Sequence, residues 1–94
     1  MEICLDFPKT VTALVGYEYG EKIYKQQVKD KICWQEHNVI IFPDEITSVA
    51  ISFVQGFYNE IVKNLGFDKA AQVEIRASSP ELIKKIRDSI LSIV

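Results

Sequence analysis

Thiol and imidazole chemistry is scarce in this 94-residue chain, which has two cysteines and a single histidine, His37. Cys4 and Cys33 stand far apart, in neither a CxxC pair nor a zinc-ligand spacing. A Cys/His metal centre or a cysteine nucleophile therefore has no support. Both cysteines are expected to be reduced and structural, Cys4 in a strand and Cys33 near a helix end, because free cysteine behaves as a small buried hydrophobe. Glycine is confined to four scattered positions, Gly16, Gly20, Gly56 and Gly66. A phosphate-binding loop needs its glycines clustered after a strand, so that bare backbone can approach the phosphates. The stretch from Val15 to Gly20 comes nearest and lacks both a following glycine and a Lys-Ser/Thr pair, so no nucleotide cofactor is expected.

An excess of positive charge is missing as well. The 11 Lys+Arg stand against 13 Asp+Glu, for a formal net charge of −2 and a pI near 5.3. That removes the basic footprint of a protein that lives on nucleic acid or anionic lipid. No apolar run approaches the ~20 residues that span a bilayer. The first residues, Met1 to Asp6, lack the basic and apolar segments of a secretory signal. The expectation is a cytoplasmic protein, with no nucleic acid and no membrane among its partners.

What is present is apolar patterning: 48% of the residues are hydrophobic, with no repeat, low-complexity tract or linker. The chain reads as one domain over residues 1–94. Ile3, Leu5 and Phe7 alternate with polar neighbours before Pro8, as in a strand. Val11 to Val15 forms a second extended piece, which the short Pro8-Lys9-Thr10 link would pair with the first as an antiparallel hairpin. Apolar Ile23, Tyr24, Val28 and Ile32 stripe a helix from about Tyr19 to Ile32, with lysines and glutamates on its other faces. The run Asn38-Val39-Ile40-Ile41-Phe42 suits a strand covered on both faces, at the centre of a sheet.

A wide helical stripe (Ala50, Val54, Phe57, Tyr58, Ile61, Val62, Leu65) predicts a long helix over Val49 to Leu65, capped by Thr47 or Ser48 and ended by Gly66. Gln72 to Ala77 alternates with period two, as in a strand nearer an edge. Ser78-Ser79-Pro80-Glu81 opens a last helix: either serine can cap, Pro80 fits the first turn, and Glu81 suits the positive end of the dipole. Leu82, Ile83, Ile86, Ile90, Ile93 and Val94 form its core stripe. The order predicts an α/β fold: a mixed sheet of about four strands, the later ones parallel through right-handed crossovers, with three helices.

Few side chains stand out chemically. Asp44 and Glu45 are paired carboxylates after the central strand, where α/β sheets often build sites; a helix-preceding turn explains them equally. His37 offers a general base without a placed nucleophile or orienting partner. Trp34 is either a binding aromatic or the lip of a core, and Tyr17, Tyr19 and Tyr24 either a contact patch or, for Tyr24, helix packing. Ser52 falls in the first turn of the long helix, where backbone N–H groups and the dipole accommodate added negative charge. Gln55, Asn59 and Lys63 continue a polar stripe from it, with Gly56 leaving a close-approach point. No metal site and no catalytic residue are assigned.

Several of these segments together resemble a family. Gly20-Glu21-Lys22-Ile23 opening the first helix, Val39-Ile40-Ile41-Phe42-Pro43-Asp44, the step from Ile46-Thr47-Ser48 through Ser52-Phe53 into Gly56-Phe57, the Gly66-terminated helix and Val73-Glu74-Ile75 are similar to the small bacterial STAS-like domains of unknown function. Those domains are related in fold to anti-sigma factor antagonists. The resemblance covers roughly residues 14 to 93. It implies a small STAS-like sandwich and a non-enzymatic interaction module, working with a GHKL-type ATP-binding kinase or an anti-sigma factor. In the antagonists the partner phosphorylates a serine at the start of the helix after the central strand, and Ser52 is the matching position. They usually carry an acidic residue before that serine and Ser-Gly after it, whereas here Ile51 precedes and Phe53-Val54 follow. Relatives often have an Arg near the start of the first helix, where this chain has Tyr17 or Tyr19.

The expected docking surface is then Asp44, Glu45, Thr47, Ser48, Gln55, Gly56 and Asn59 around Ser52, together with the Gly16–Gly20 loop. Two other classes compete with it. One is a regulatory or toxin–antitoxin-type subunit that works without phosphorylation, through Trp34 and the tyrosines. The other is a minimal enzyme using Asp44, Glu45 and His37. Exposed strand edges also leave room for a homodimer.

Overall fold

Parallel pairing organises the computed structural model, which describes residues 1–33 and 35–91. Three strands, β1 (Glu2–Cys4), β3 (Val39–Ile41) and β5 (Glu74–Arg76), form one sheet in the order β1-β3-β5, all parallel. Two shorter strands, β2 (Ala13–Leu14) and β4 (Ser48–Val49), form a second parallel pair. The helices are α1 (Tyr17–Ile23), α2 (Ile51–Leu65), α3 (Phe67–Ala71) and α4 (Pro80–Leu91). This is an α/β fold of two parallel sheets and four helices rather than one mixed sheet with three. The Cα radius of gyration, 11.9 Å, matches the roughly 12 Å of a folded domain of this length. No helix among the described residues is long and apolar enough to cross a membrane.

The central position of β3 follows from its composition: Val39 and Ile40 are buried, and Ile40 pairs with Ile3 on one side and Ile75 on the other. The expected hairpin does not form. β1 pairs with β3 and β2 with β4, both in parallel, and the connection within each pair contains α1, as a parallel crossover requires. Period-two alternation places Ile3 and Leu5 inward, which turns Cys4 outward. Cys4 is therefore an exposed free thiol rather than a buried one, and Cys33 is half-buried and also unpaired.

The first helix begins at Tyr17 and runs into a π-helical turn, Tyr24–Val28. The wider turn keeps both Tyr24 and Val28 buried while Gln27 reaches Asp6. Its amide donates to the Asp6 carbonyl at 2.7 Å, and its oxygen accepts from the Asp6 N–H at 2.6 Å. Asn38, also buried, closes the preceding loop through its side chain, which accepts from the Cys33 N–H and donates to the Cys33 and Glu36 carbonyls at 3.0, 2.7 and 3.1 Å. Trp34, inside that loop, and Ile93 and Val94 at the end of the α4 stripe lie outside the described residues.

The long helix starts at Ile51, with Ala50 at its N-cap and no side-chain cap. Thr47 and Ser48 do not cap it: Ser48 lies in β4, and the Thr47 N–H donates to the Thr12 carbonyl at 2.8 Å. At α4 the two serines divide their tasks. Ser79 Oγ accepts from the Leu82 N–H at 3.2 Å as the cap, while the Ser78 hydroxyl donates to the Ile46 carbonyl at 3.0 Å. Phe57 of α2 is the aromatic hub of the core, stacked on Phe53 and edge-on to Tyr24, with centroids 5.8 and 6.1 Å away. Edge-to-face and offset pairs at these distances add to the area term.

Candidate functional site

The site is built where β2 and β4 end and α2 begins. Their parallel register carries Leu14 beside Val49, and the Leu14 carbonyl accepts from the Ala50 N–H at 2.8 Å. Two residues on, Ser52 Oγ accepts a hydrogen bond from the Gly16 N–H at 3.1 Å. Gly16 holds φ +107°, a region that side-chain-bearing residues rarely adopt, and this turn delivers its N–H to Ser52 before α1 starts. The loop between β2 and α1 is thus tied to the first turn of α2 by one hydroxyl.

The chain neighbours of this hydrogen-bonded pair include three exposed apolar side chains. Val15, Ile51 and Tyr17 are 65%, 51% and 40% exposed, three of the five large hydrophobics that the described residues leave in water. The Tyr17 hydroxyl accepts from the Asn59 amide at 2.8 Å, which draws Asn59 toward α1. Between Ile51 and the exposed face of α4 lies an open groove of about 370 Å³.

The structure redistributes the residues expected to share one docking surface. Ser52, Gln55 and Asn59 are half-buried on α2. Gly56 is buried and unavailable to a partner, because the backbone of α1 at Tyr17 lies directly on it. Gly20 performs the same service from the other helix, against the backbone of Phe53 and Phe57. Asp44 and Glu45 are exposed on a turn closed by the Ile46 N–H donating to the Pro43 carbonyl at 3.1 Å. They precede β4, whereas Ser52 follows it, so the acidic pair and the serine lie at opposite ends of that strand. Ser48 belongs to that strand and Thr47 directly precedes it.

His37 is separated further. It precedes β3 and the acidic pair follows it, which over six extended residues is on the order of 20 Å. The three side chains of the minimal-enzyme reading are not brought to one place. His37 instead borders a cleft of about 310 Å³ with Asn38, Lys69 and Gln72. Its Nε2 lies 3.6 Å from Glu74 Oε1; Glu74 Oε2 accepts from Arg76 Nε at 2.7 Å, and Arg76 Nη1 stands 3.5 Å from Glu2. The hydrogen bond from Arg76 holds the Glu74 carboxyl below its usual range, with His37 adding a smaller pull. These groups are water-screened, and exposed pairs of this kind contribute little. No cluster of three or more His, Cys, Asp and Glu capable of holding a metal occurs among the described residues.

Residues that periodicity did not single out complete the site. Val15 was legible only as the end of a strand, and the partnership of Ser52 with Gly16 had no local signal, since it joins residues 36 positions apart. Compared with protein-family models, curated proteins and solved structures, the chain finds no match in any of the three.

Proposed function

We propose that this protein is a small interaction module of the STAS-like kind, which docks another protein at the junction of Val15, Tyr17, Ile51 and Ser52. The hydrogen bond from Gly16 to Ser52 carries the reading. It joins a modifiable hydroxyl in the first turn of α2 to a loop, and the chain neighbours of the two residues are the exposed Val15, Tyr17 and Ile51. The motif resemblance names the same serine and implies a GHKL-type ATP-binding kinase or an anti-sigma factor as partner. A phosphate on Ser52 would meet the free N–H groups and positive dipole end of α2, so the helix tolerates the charge while the apolar contact around it does not. No catalytic step is assigned to the chain.

A second reading has an observation behind it. The Ser52 hydroxyl is half-buried and already engaged, which favours a constitutive docking subunit that is never phosphorylated. One experiment separates the two: tagged protein, wild type beside Ser52→Ala and Ser52→Asp, retrieved from its own cells with intact-mass readout. An ATP-binding partner, together with an added phosphate that disappears in Ser52→Ala, establishes the switch. Unmodified bait with the same partner in all three forms establishes constitutive docking. A bait that retrieves no protein in any form overturns the interaction reading altogether.

A further inference from the structure

The groove beside Ile51 specifies the chemistry of what docks there. Its walls are Ile51, from the first turn of α2, and Glu81, Lys84, Lys85, Asp88 and Ser89 of α4. The four charged residues sit at i, i+3, i+4 and i+7, which puts them in one stripe along the helix, ordered acid, base, base, acid. Helical spacing of this kind allows Glu–Lys and Lys–Asp pairs within the helix, yet none of the four makes an ion pair among the described residues. Four unspent charges therefore face the same groove as an isoleucine that is half in water.

The order of those charges decides between occupants. A second copy laid antiparallel across the whole groove would set Glu81 against Asp88 and Lys84 against Lys85, like on like at every position. A parallel two-fold pairing sets each charge against its own copy. Sliding by one turn relieves one end and uncovers the other. Like charges directly opposed are a standard device for suppressing a wrong partner.

We infer that the groove receives a helix of a different protein, which places an apolar side chain on Ile51 and two neighbouring carboxylates against Lys84 and Lys85, with a basic residue about one turn beyond each. This rests on the interaction-module reading and names the chemistry of its partner. Ser52 follows Ile51 in the first turn of α2, so that a partner seated on Ile51 also senses the charge state of the serine.

The test uses the full chain in its own cells with a photo-cross-linking residue at position 51, and in parallel at position 17, the joined peptides being identified by mass spectrometry. The expected product at position 51 is a segment of another protein with adjacent carboxylates flanked by basic residues. Lys84→Glu/Lys85→Glu should lower its yield about tenfold without changing the circular dichroism of the protein, and replacing the partner's two carboxylates by lysines should restore it. A cross-link to a second copy of the chain, or one to a partner that is indifferent to the charge reversal, overturns the inference. Capture from position 17 but not from 51 overturns the groove while leaving the interaction module standing, and capture from neither overturns both.

Discussion

The α-carbon of Gly56 lies against the backbone of Tyr17, so closely that a methyl group there would stand 2.8 Å from the Tyr17 carbonyl carbon and overlap its oxygen. Gly20 makes the reciprocal contact, its absent Cβ falling 2.7 Å from the Phe57 nitrogen. The helices α1 and α2 thus cross backbone to backbone, and the crossing holds the loop bearing Gly16 within reach of Ser52. Neither neighbour is a flexible side-chain end that could move aside.

Gly56→Ala should therefore separate the two helices. Overpacking of a rigid contact costs about 1–3 kcal/mol or more, and for a domain of this size each kilocalorie lowers Tm by roughly 4–8 °C. Thermal unfolding followed by circular dichroism is expected to show a Tm drop of about 10 °C or more. A variant within about 2 °C of wild type would show that the crossing has slack.

Tyr24 offers the opposite case. Its ring is fully buried against Phe57, but its hydroxyl finds no hydrogen-bond partner among the described residues. Burial raises its pKa, and the nearby Glu60 carboxylate adds to the effect. A buried, unpaired hydroxyl costs about 1–3 kcal/mol, so Tyr24→Phe should be neutral or stabilising by up to about 1 kcal/mol. Urea unfolding checks this, and a loss of more than about 1 kcal/mol would mean that the hydroxyl is satisfied after all.

Tyr58 couples stability to alkaline pH. Its hydroxyl donates to the Ala70 carbonyl, fastening α3 to α2, and burial pushes its pKa from 10.0 up to about 12 against a smaller opposing pull from Arg87. Below pH 10 the phenol is protonated in folded and unfolded chains alike. Between pH 10 and about 12 only the unfolded chain releases the proton, so the folded state loses stability as pH rises through that window. Two units correspond to roughly 2–3 kcal/mol. Tyr58→Phe should flatten this limb of the pH–stability curve while costing about 1 kcal/mol at neutral pH for the lost hydrogen bond. An equally steep loss in the variant would assign it to other groups.

Local chemistry was legible wherever a residue acts on its own neighbours. The β-branched run at Val39–Ile41, the Gly66 stop of α2 at positive φ and the Pro80 start of α4 all stand where residue type dictates. Among the features of the site, Ser52 in the first turn of a helix belongs to this class. The π-helical turn and the five residues of α3 left no such mark, because each is too short for a period to show. The capping role given to Thr47 and Ser48 failed for a related reason: both are good caps, but the chain at that point is drawn into β4 by Thr12, 35 residues away.

By itself the sequence determined an α/β chain of modest negative charge, its central strand, its two longest helices and the serine at the head of one of them, since composition, periodicity and capping act over a few residues. Tertiary structure decided which strands pair, and it paired them in parallel where adjacency suggested a hairpin. It buried Gly56 under α1, put Asp44 and Glu45 at the far end of β4 from Ser52, and sent His37 to the other end of β3. It alone tied Gly16, between Val15 and Tyr17, to Ser52, beside Ile51. Each of these outcomes joins residues distant in the chain, and the free energy that selects among such pairings is the burial of whole faces, which no local pattern encodes.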